Sequence, residues 1–376
     1  MAEKRSKKVL VAGNGVAGLE TVLALQSLAR GRVDIEMLAP ERHFTYRPLA
    51  AGAPFLRATP ARVELAGIAR DRGFRLTRDV VDRVDPTSHE VVTQEGARIP
   101  YDVLVLALRA HPIAAVEGAV PFRGSSDRIA VADALEAIDS SARVAYVARS
   151  ATMWTLPLYE LALHTTTWAD SRDADVEVLV VTDESEPLEV FGPSASEQVA
   201  HLLEGAGVRL ILNTTVKRMQ HGCLDIESAD PIPVDLAVAL PQLVGPALPG
   251  VPCDLGGFVP VDPTGRVYGV DDVYAVGDMT DRPLRQDGLA AQQADVAAGA
   301  IAAAAGGRAP VCTYEPTLRA TLIGDDETLY LRSPAGEVDR LGPDGTVDGA
   351  WQPANEFAGF HLAPYLGTHG DLQLVG

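Results

Sequence analysis

With 376 residues, the chain is too long for one small core and has room for two or three domains and a large bound dinucleotide. Its 51 acidic against 32 basic residues give a formal charge of −19, a field that repels nucleic-acid phosphates and anionic lipid and excludes both as expected partners. The three cysteines, Cys223, Cys253 and Cys312, have no CxxC or other metal-ligand spacing, so neither a disulfide framework nor a metal site is expected, and a cytoplasmic setting fits.

Lys4 to Lys8 reads as a short solvated tail, because the apolar run after it is already a strand and runs on to Glu20. Lys8 to Ala12, a helix patterned by Leu19, Val22, Leu23, Leu25 and Leu28, and a strand at Val33 to Leu38 predict a βαβ unit of a parallel sheet. Its turn, Gly13-Asn14-Gly15-Val16-Ala17-Gly18, has GxGxxG spacing. In such a loop one glycine makes the tight turn, the next lets backbone approach a pyrophosphate, and the third lets helix and strand pack closely. Glu41 to Pro54 reads as a loop, Val80 to Val84 and Glu90 to Val92 as strands of a meander, and Tyr101 to Leu108 as a buried strand.

A second βαβ-like unit is predicted at Ala142 to Val147, Leu158 to Trp168 and Val176 to Val181, followed by a helix at Ser194 to Gly205 and a strand at Val208 to Leu212. Val234 to Leu240 and Val273 to Val276 are expected to return to the first lobe's sheet, and Asp287 to Ala304 is alanine-rich and helical. The fold class is therefore α/β: two doubly wound, Rossmann-like domains, the first discontinuous, plus a small C-terminal region. The divisions are 1–112 with 235–310, 113–234, and 311–376. No apolar stretch is long enough to span a membrane. Asp272 to Asp278 ends in Gly277-Asp278 after an apolar strand, where a carboxylate can accept hydrogen bonds from sugar-like hydroxyls. Together with the glycine loop it reads as the far end of a flavin site, its carboxylate placed for the ribityl chain of FAD.

The glycine loop, the segment Leu38 to Pro48, Gly257 to Asp262, Val273 to Asp278 and Arg285 to Ala294 make the chain similar to the pyridine nucleotide-disulfide oxidoreductase superfamily, over nearly its whole length. It most resembles the branch holding sulfide:quinone oxidoreductases and type II NADH dehydrogenases. The resemblance implies an FAD-dependent oxidoreductase acting on a small-molecule substrate, with electrons passing through non-covalent flavin to a quinone-like or other small acceptor. It leaves a homodimer through the C-terminal region open. A flavin oxidase or reductase of a specialised organic substrate, and a non-catalytic FAD-binding protein, stand as alternatives. The same resemblance implies that Asp278 with Gly277 holds the flavin side chain, that Pro48 lies near the isoalloxazine, and that the helix from Gly288, with Leu289 and Ala290, aims its N-terminus at the pyrimidine end. Val16, Ala17, Ala39, Arg42 and Val81 complete the positions expected along the cofactor.

The departures from the family matter equally. Ala39 stands where an acid is expected for the adenosine ribose, with Glu41 either its substitute or a solvated glutamate. Arg109 stands where the family has a small residue, either pairing with phosphate or lying on the surface. The segments Ala151 to Glu160 and Ala320 to Gly324 lack the cysteines of sulfide oxidisers, and Cys312 reads as structural. Ala148 to Met153 has no GxGxxG, so side chains crowd the place of an NAD(P)H pyrophosphate, which argues against NAD(P)H. Glu160 matches a flavin-facing glutamate of type II NADH dehydrogenases and reads as a catalytic proton relay or as a helix-surface residue. Gln292 and Gln293 resemble part of a quinone-site motif. Trp154, Tyr159, His164 and Trp168 either form an aromatic slot over the flavin or pack a core.

Overall fold

The computed structural model describes residues 6–45, 50–55, 62–149, 154–307, 314–324, 328–332, 337–340 and 359–368. Two five-stranded parallel sheets organise it. The first runs in the order Val273–Ala275, Val103–Leu106, Lys7–Ala12, Val33–Leu38, Arg75–Thr77. Its central strand is buried from Val9 to Ala12, because helices on one face and the meander on the other cover both sides. The helix Val16–Leu28 and the alanine-rich helix Asp287–Ala304 pack together on one face of this sheet. Alanine and glycine along the second helix let the two axes approach closely.

The second sheet has the same construction, in the order Val120–Pro121, Leu236–Ala239, Arg143–Val147, Glu177–Val181, Arg209–Ile211. Helices Arg128–Glu136, Leu156–Asp170 and Pro193–Gly205 supply its core with Val131, Leu158, Leu161 and Val199. One strand corrects the sequence reading. Leu236–Ala239 does not return to the first sheet; it pairs in parallel with Arg143–Val147 and carries the second lobe past residue 234. Both sheets are parallel and buried on both faces, so an apolar run such as Leu-Ala-Val-Ala fits either equally well.

The two crossings between lobes, His111–Ile113 and Gln242–Val244, pair antiparallel into a short ribbon. Beneath the first sheet lies the meander Val81–Asp85, Glu90–Thr93, Arg98–Pro100. The C-terminal region contributes an antiparallel sheet, Arg319–Ile323, Thr328–Arg332 and Glu337–Arg340, whose Ala320, Leu322, Leu329 and Leu331 join the second lobe's core. The chain then reaches back, and helix Leu362–Thr368 buries Leu362, Tyr365 and Leu366 in the first lobe's core. Among the described residues no helix is long and apolar enough to cross a membrane.

Candidate functional site

The glycine loop is shaped by two unavoidable close approaches and one deliberate opening. Gly13 has φ +119°, and a Cβ there would sit 2.2 Å from the Ala107 carbonyl oxygen; a Cβ on Gly18 would sit 2.1 Å from the Gly13 carbonyl oxygen. These two glycines close the strand onto its helix and the neighbouring strand end. Gly15 differs, since a Cβ there would meet nothing within 4 Å. It caps a helix that receives no side-chain hydrogen bond and has no acid in its first turn, so that helix end presents bare N–H groups to whatever lies above it.

What lies above is a cavity of about 590 Å³, in the size range of ligand sites. Its floor is Gly15, Val16 and Ala17, its walls are the strand ends Ala107 to Ala110 and Val276 to Asp278, and Asp287 and Ala290 border it from the alanine-rich helix. The second lobe and the crossings complete it with Pro112, Arg123, Asp127, Pro241 and Leu243. Gly277, at φ +77°, tucks the Asp278 turn against Ala17 and Ala290; a Cβ there would lie 3.2 and 3.6 Å from their methyl groups. Gln293, almost fully buried, fixes this turn by accepting from the Gly277 N–H at 2.8 Å. Arg285 lies over the Phe258 ring at 3.7 Å and donates from Nε to the Asp278 carbonyl at 3.1 Å, bracing the turn from the other side.

Of the residues singled out in the sequence, the cavity thus brings together Gly15, Val16, Ala17, Arg109, Gly277, Asp278 and Ala290, while Gly13 and Gly18 shape its floor from behind. Ala39, Glu41, Arg42, Val81, Gly288 and Leu289 do not border it. Ala39 is fully buried with its N–H on the Thr77 carbonyl, Glu41 and Arg42 are exposed, and Val81 sits in the meander. Leu289 points into the second lobe's core, and its N–H is taken by the Gln286 side chain. Pro48, Cys312 and Ala151 to Met153 lie outside the described residues. Neither Cys223 nor Cys253 borders the cavity.

Several side chains have jobs that sequence reasoning missed. Arg123 grips Asp127 with two parallel hydrogen bonds, Nε at 2.9 Å and Nη2 at 2.7 Å, and holds that carboxyl below its usual range although burial opposes this. The pair commits one cavity cation, and Arg109 is exposed at the cavity's edge. The glutamines are structural: Gln292 exchanges hydrogen bonds with Thr317 at 2.8 and 2.9 Å, tying down the C-terminal region, while its neighbour Gln293 holds the Gly277 turn.

In the second lobe, the alternative of core packing holds for the aromatic residues, none of which borders the cavity. Trp154 meets Phe191 edge-on at 6.0 Å, His164 lies 5.5 Å from Phe55, and Trp168 sits under Arg172. Tyr159 is fully buried and donates to Glu184 at 2.6 Å; Thr155 adds a bond to the same carboxyl at 3.0 Å. Burial pushes the Glu184 carboxyl up to about 7 against the pull of these donors. Glu160 is buried, so the helix-surface reading fails, and it does not border the cavity. Arg149 donates to the Ala115 carbonyl at 3.0 Å.

A discontinuous parallel lobe with an open glycine turn facing a strand-end carboxylate, joined to a second lobe of like build, has the architecture of a dinucleotide-binding protein. A family profile of pyridine nucleotide-disulphide oxidoreductases matches residues 7–302. The chain belongs to that family. The sulfide-quinone reductase of Aquifex aeolicus (strain VF5) is 28% identical over 117 residues, covering 30% of this chain and 26% of that relative, so the matched stretch spans about a quarter of the curated protein. In structure, the fold is similar to that of the sulfide:quinone oxidoreductase of Aquifex aeolicus, with TM-score 0.77 and 20% identity over 89% of this chain and 85% of that one. It is also similar to NDH2 of Plasmodium falciparum in complex with NADH, with TM-score 0.59 and 16% identity over 73% of this chain and 65% of that one.

Proposed function

We propose that this chain oxidises a small donor other than NAD(P)H and passes the electrons through non-covalent FAD to a quinone-like or other small acceptor, without a cysteine. When bound, FAD supplies the redox chemistry, and the protein supplies orientation and electrostatics. The backbone N–H groups of Val16 and Ala17, at the bare helix end over Gly15, would hold the pyrophosphate, and Asp278 would accept from ribityl hydroxyls. Arg109 at the cavity edge would offset the phosphate charge. We place the chain in a reducing, cytoplasmic setting, in which cysteines stay as thiols.

The observation that carries the donor assignment is in the second lobe. Of the two acids just after its second strand, Glu184 is turned inward and bonded by Tyr159 and Thr155, and one carboxylate oxygen of Asp183 is buried. Neither leaves a fully exposed carboxylate at that strand end to receive a nicotinamide nucleotide's ribose. Under anaerobic conditions the yellow protein is expected to keep its visible absorbance when mixed with stoichiometric NADH or sulfide. After reduction by dithionite it is expected to be reoxidised by a water-soluble quinone. Rapid bleaching by NADH would overturn the donor assignment, and failure of every quinone to reoxidise it would overturn the acceptor.

Asp278→Asn keeps the turn's shape and removes the charge. FAD should then bind about tenfold to a hundredfold more weakly, the range for losing charge-assisted hydrogen bonds. Fluorescence titration of apoprotein with FAD measures this, and an unchanged dissociation constant would remove Asp278 from the site.

A further inference from the structure

The C-terminal helix is docked by two acids that the oxidoreductase reading does not use. Glu20, fully buried on the helix Val16–Leu28, accepts the His361 N–H at 2.8 Å on Oε1 and the Leu362 N–H at 2.6 Å on Oε2. Asp295, on the alanine-rich helix, accepts the Phe360 N–H at 3.2 Å on Oδ2. Its Oδ1 is buried without a hydrogen-bond partner, 3.9 Å from His361 Nε2. The approach is tight: a Cβ on Gly359 would fall 2.9 Å from both Glu20 Oε2 and the Ala291 side chain.

Carboxylate oxygens of Glu20 and Asp295 lie within 4.8 Å of each other, and two largely buried carboxyls this close cannot both ionise cheaply. Burial, followed by the charge of Glu20, raises the Asp295 carboxyl to about 9. Other charged groups nearby are His361 itself, Arg30 and Asp34, which border the adjoining cavity with it, and Asp71 and Arg72, which engage Tyr365 further along. Both Glu20 oxygens are taken by backbone donors, so the trio with His361 does not read as a cation site.

We propose that Glu20 and Asp295 are a positioning pair that shares one proton and thereby latches Gly359 to Thr368 across the two helices whose ends form the cofactor cavity. The docked pair keeps a proton that the same carboxyls would give up if exposed to water. The undocked state therefore binds fewer protons, and docking weakens as pH rises from the ordinary carboxylate range until it levels off beyond about 9.

Hydrogen exchange on the full FAD-loaded chain between pH 6 and 9.5, corrected for intrinsic amide rates, tests this at the peptide covering 359–368. Protection is expected to fall by as much as about tenfold per pH unit, with the FAD dissociation constant rising in parallel. Asp295→Asn, which keeps an acceptor for Phe360 but carries no titrating proton, should flatten both profiles, and His361→Gln should leave the slope in place. A pH-independent wild type, or a slope that survives Asp295→Asn and vanishes with His361→Gln, would overturn the shared proton. Protection that changes while FAD affinity stays constant would overturn the positioning role. The wild-type profiles decide on their own where a variant does not fold.

Discussion

Gly13→Ala is expected to purify without flavin and to melt well below the wild type. The residue sits at φ +119°, where side-chain-bearing residues are strained, and the new Cβ would lie 2.2 Å from the Ala107 carbonyl oxygen, well inside van der Waals contact. Neither partner can yield, because Ala107, just past a central strand, is held by its N–H bond to the Ala12 carbonyl, and Gly13 by its N–H bond to the Leu38 carbonyl. A loss of about 3 kcal/mol or more follows, since strain and overpacking act together. Gly15→Ala is the informative control. Its backbone, at φ −72°, suits any residue, and its Cβ meets no protein atom within 4 Å. That variant should keep the wild-type melting temperature of the apoprotein and still lose FAD, because the methyl group would enter the space proposed for the pyrophosphate. The ratio of flavin to protein absorbance, with calorimetry of both apoproteins, separates the cases; a yellow Gly15→Ala protein of normal affinity would sink this placement of the cofactor.

Glu184→Gln should make stability less dependent on pH. In the unfolded chain this carboxyl loses its proton near the ordinary value of 4.5, and in the folded protein burial holds the proton until about 7. The folded state thus binds more protons between those values, so stability is fully present below pH 4.5 and is lost as pH rises through 7. The loss is on the order of 3 kcal/mol. A glutamine keeps an acceptor for the Tyr159 hydroxyl and never ionises, so the variant should match the wild type near pH 5 and exceed it by about 2–3 kcal/mol at pH 8. Urea unfolding at pH 5, 6, 7 and 8 measures the difference; parallel curves would place the titrating group elsewhere.

Much of the fold was legible because it is local. Val33–Leu38 and the helix Asp287–Ala304 have the predicted bounds, the first from its β-branched and apolar run and the second from its alanine content. Gly13, Gly15 and Gly18 were legible by spacing, and Gly277 and Asp278 by following a strand. The placement of Leu236–Ala239 was not, since nothing in four apolar residues says which of two like sheets they join. Glu184 lies in Asp-Glu-Ser-Glu, which reads as solvated charge; its burial depends on Tyr159 and Thr155 from a different helix region. The Glu20 contact to His361 and Leu362 joins the two ends of the chain, and no local pattern announces it.

The discontinuity of the first lobe sets an order on biosynthesis. Its glycine turn is made early, yet the strand Val273–Ala275 that flanks its sheet and the Gln293 that fixes the opposing turn are translated only after the whole second lobe. A ribosome-bound chain therefore exposes an unfinished sheet edge beside Val103–Leu106 when all five strands of the second lobe's sheet are already made. Flavin capture becomes a late event in folding, and cells short of FAD would accumulate chains whose first lobe is still open.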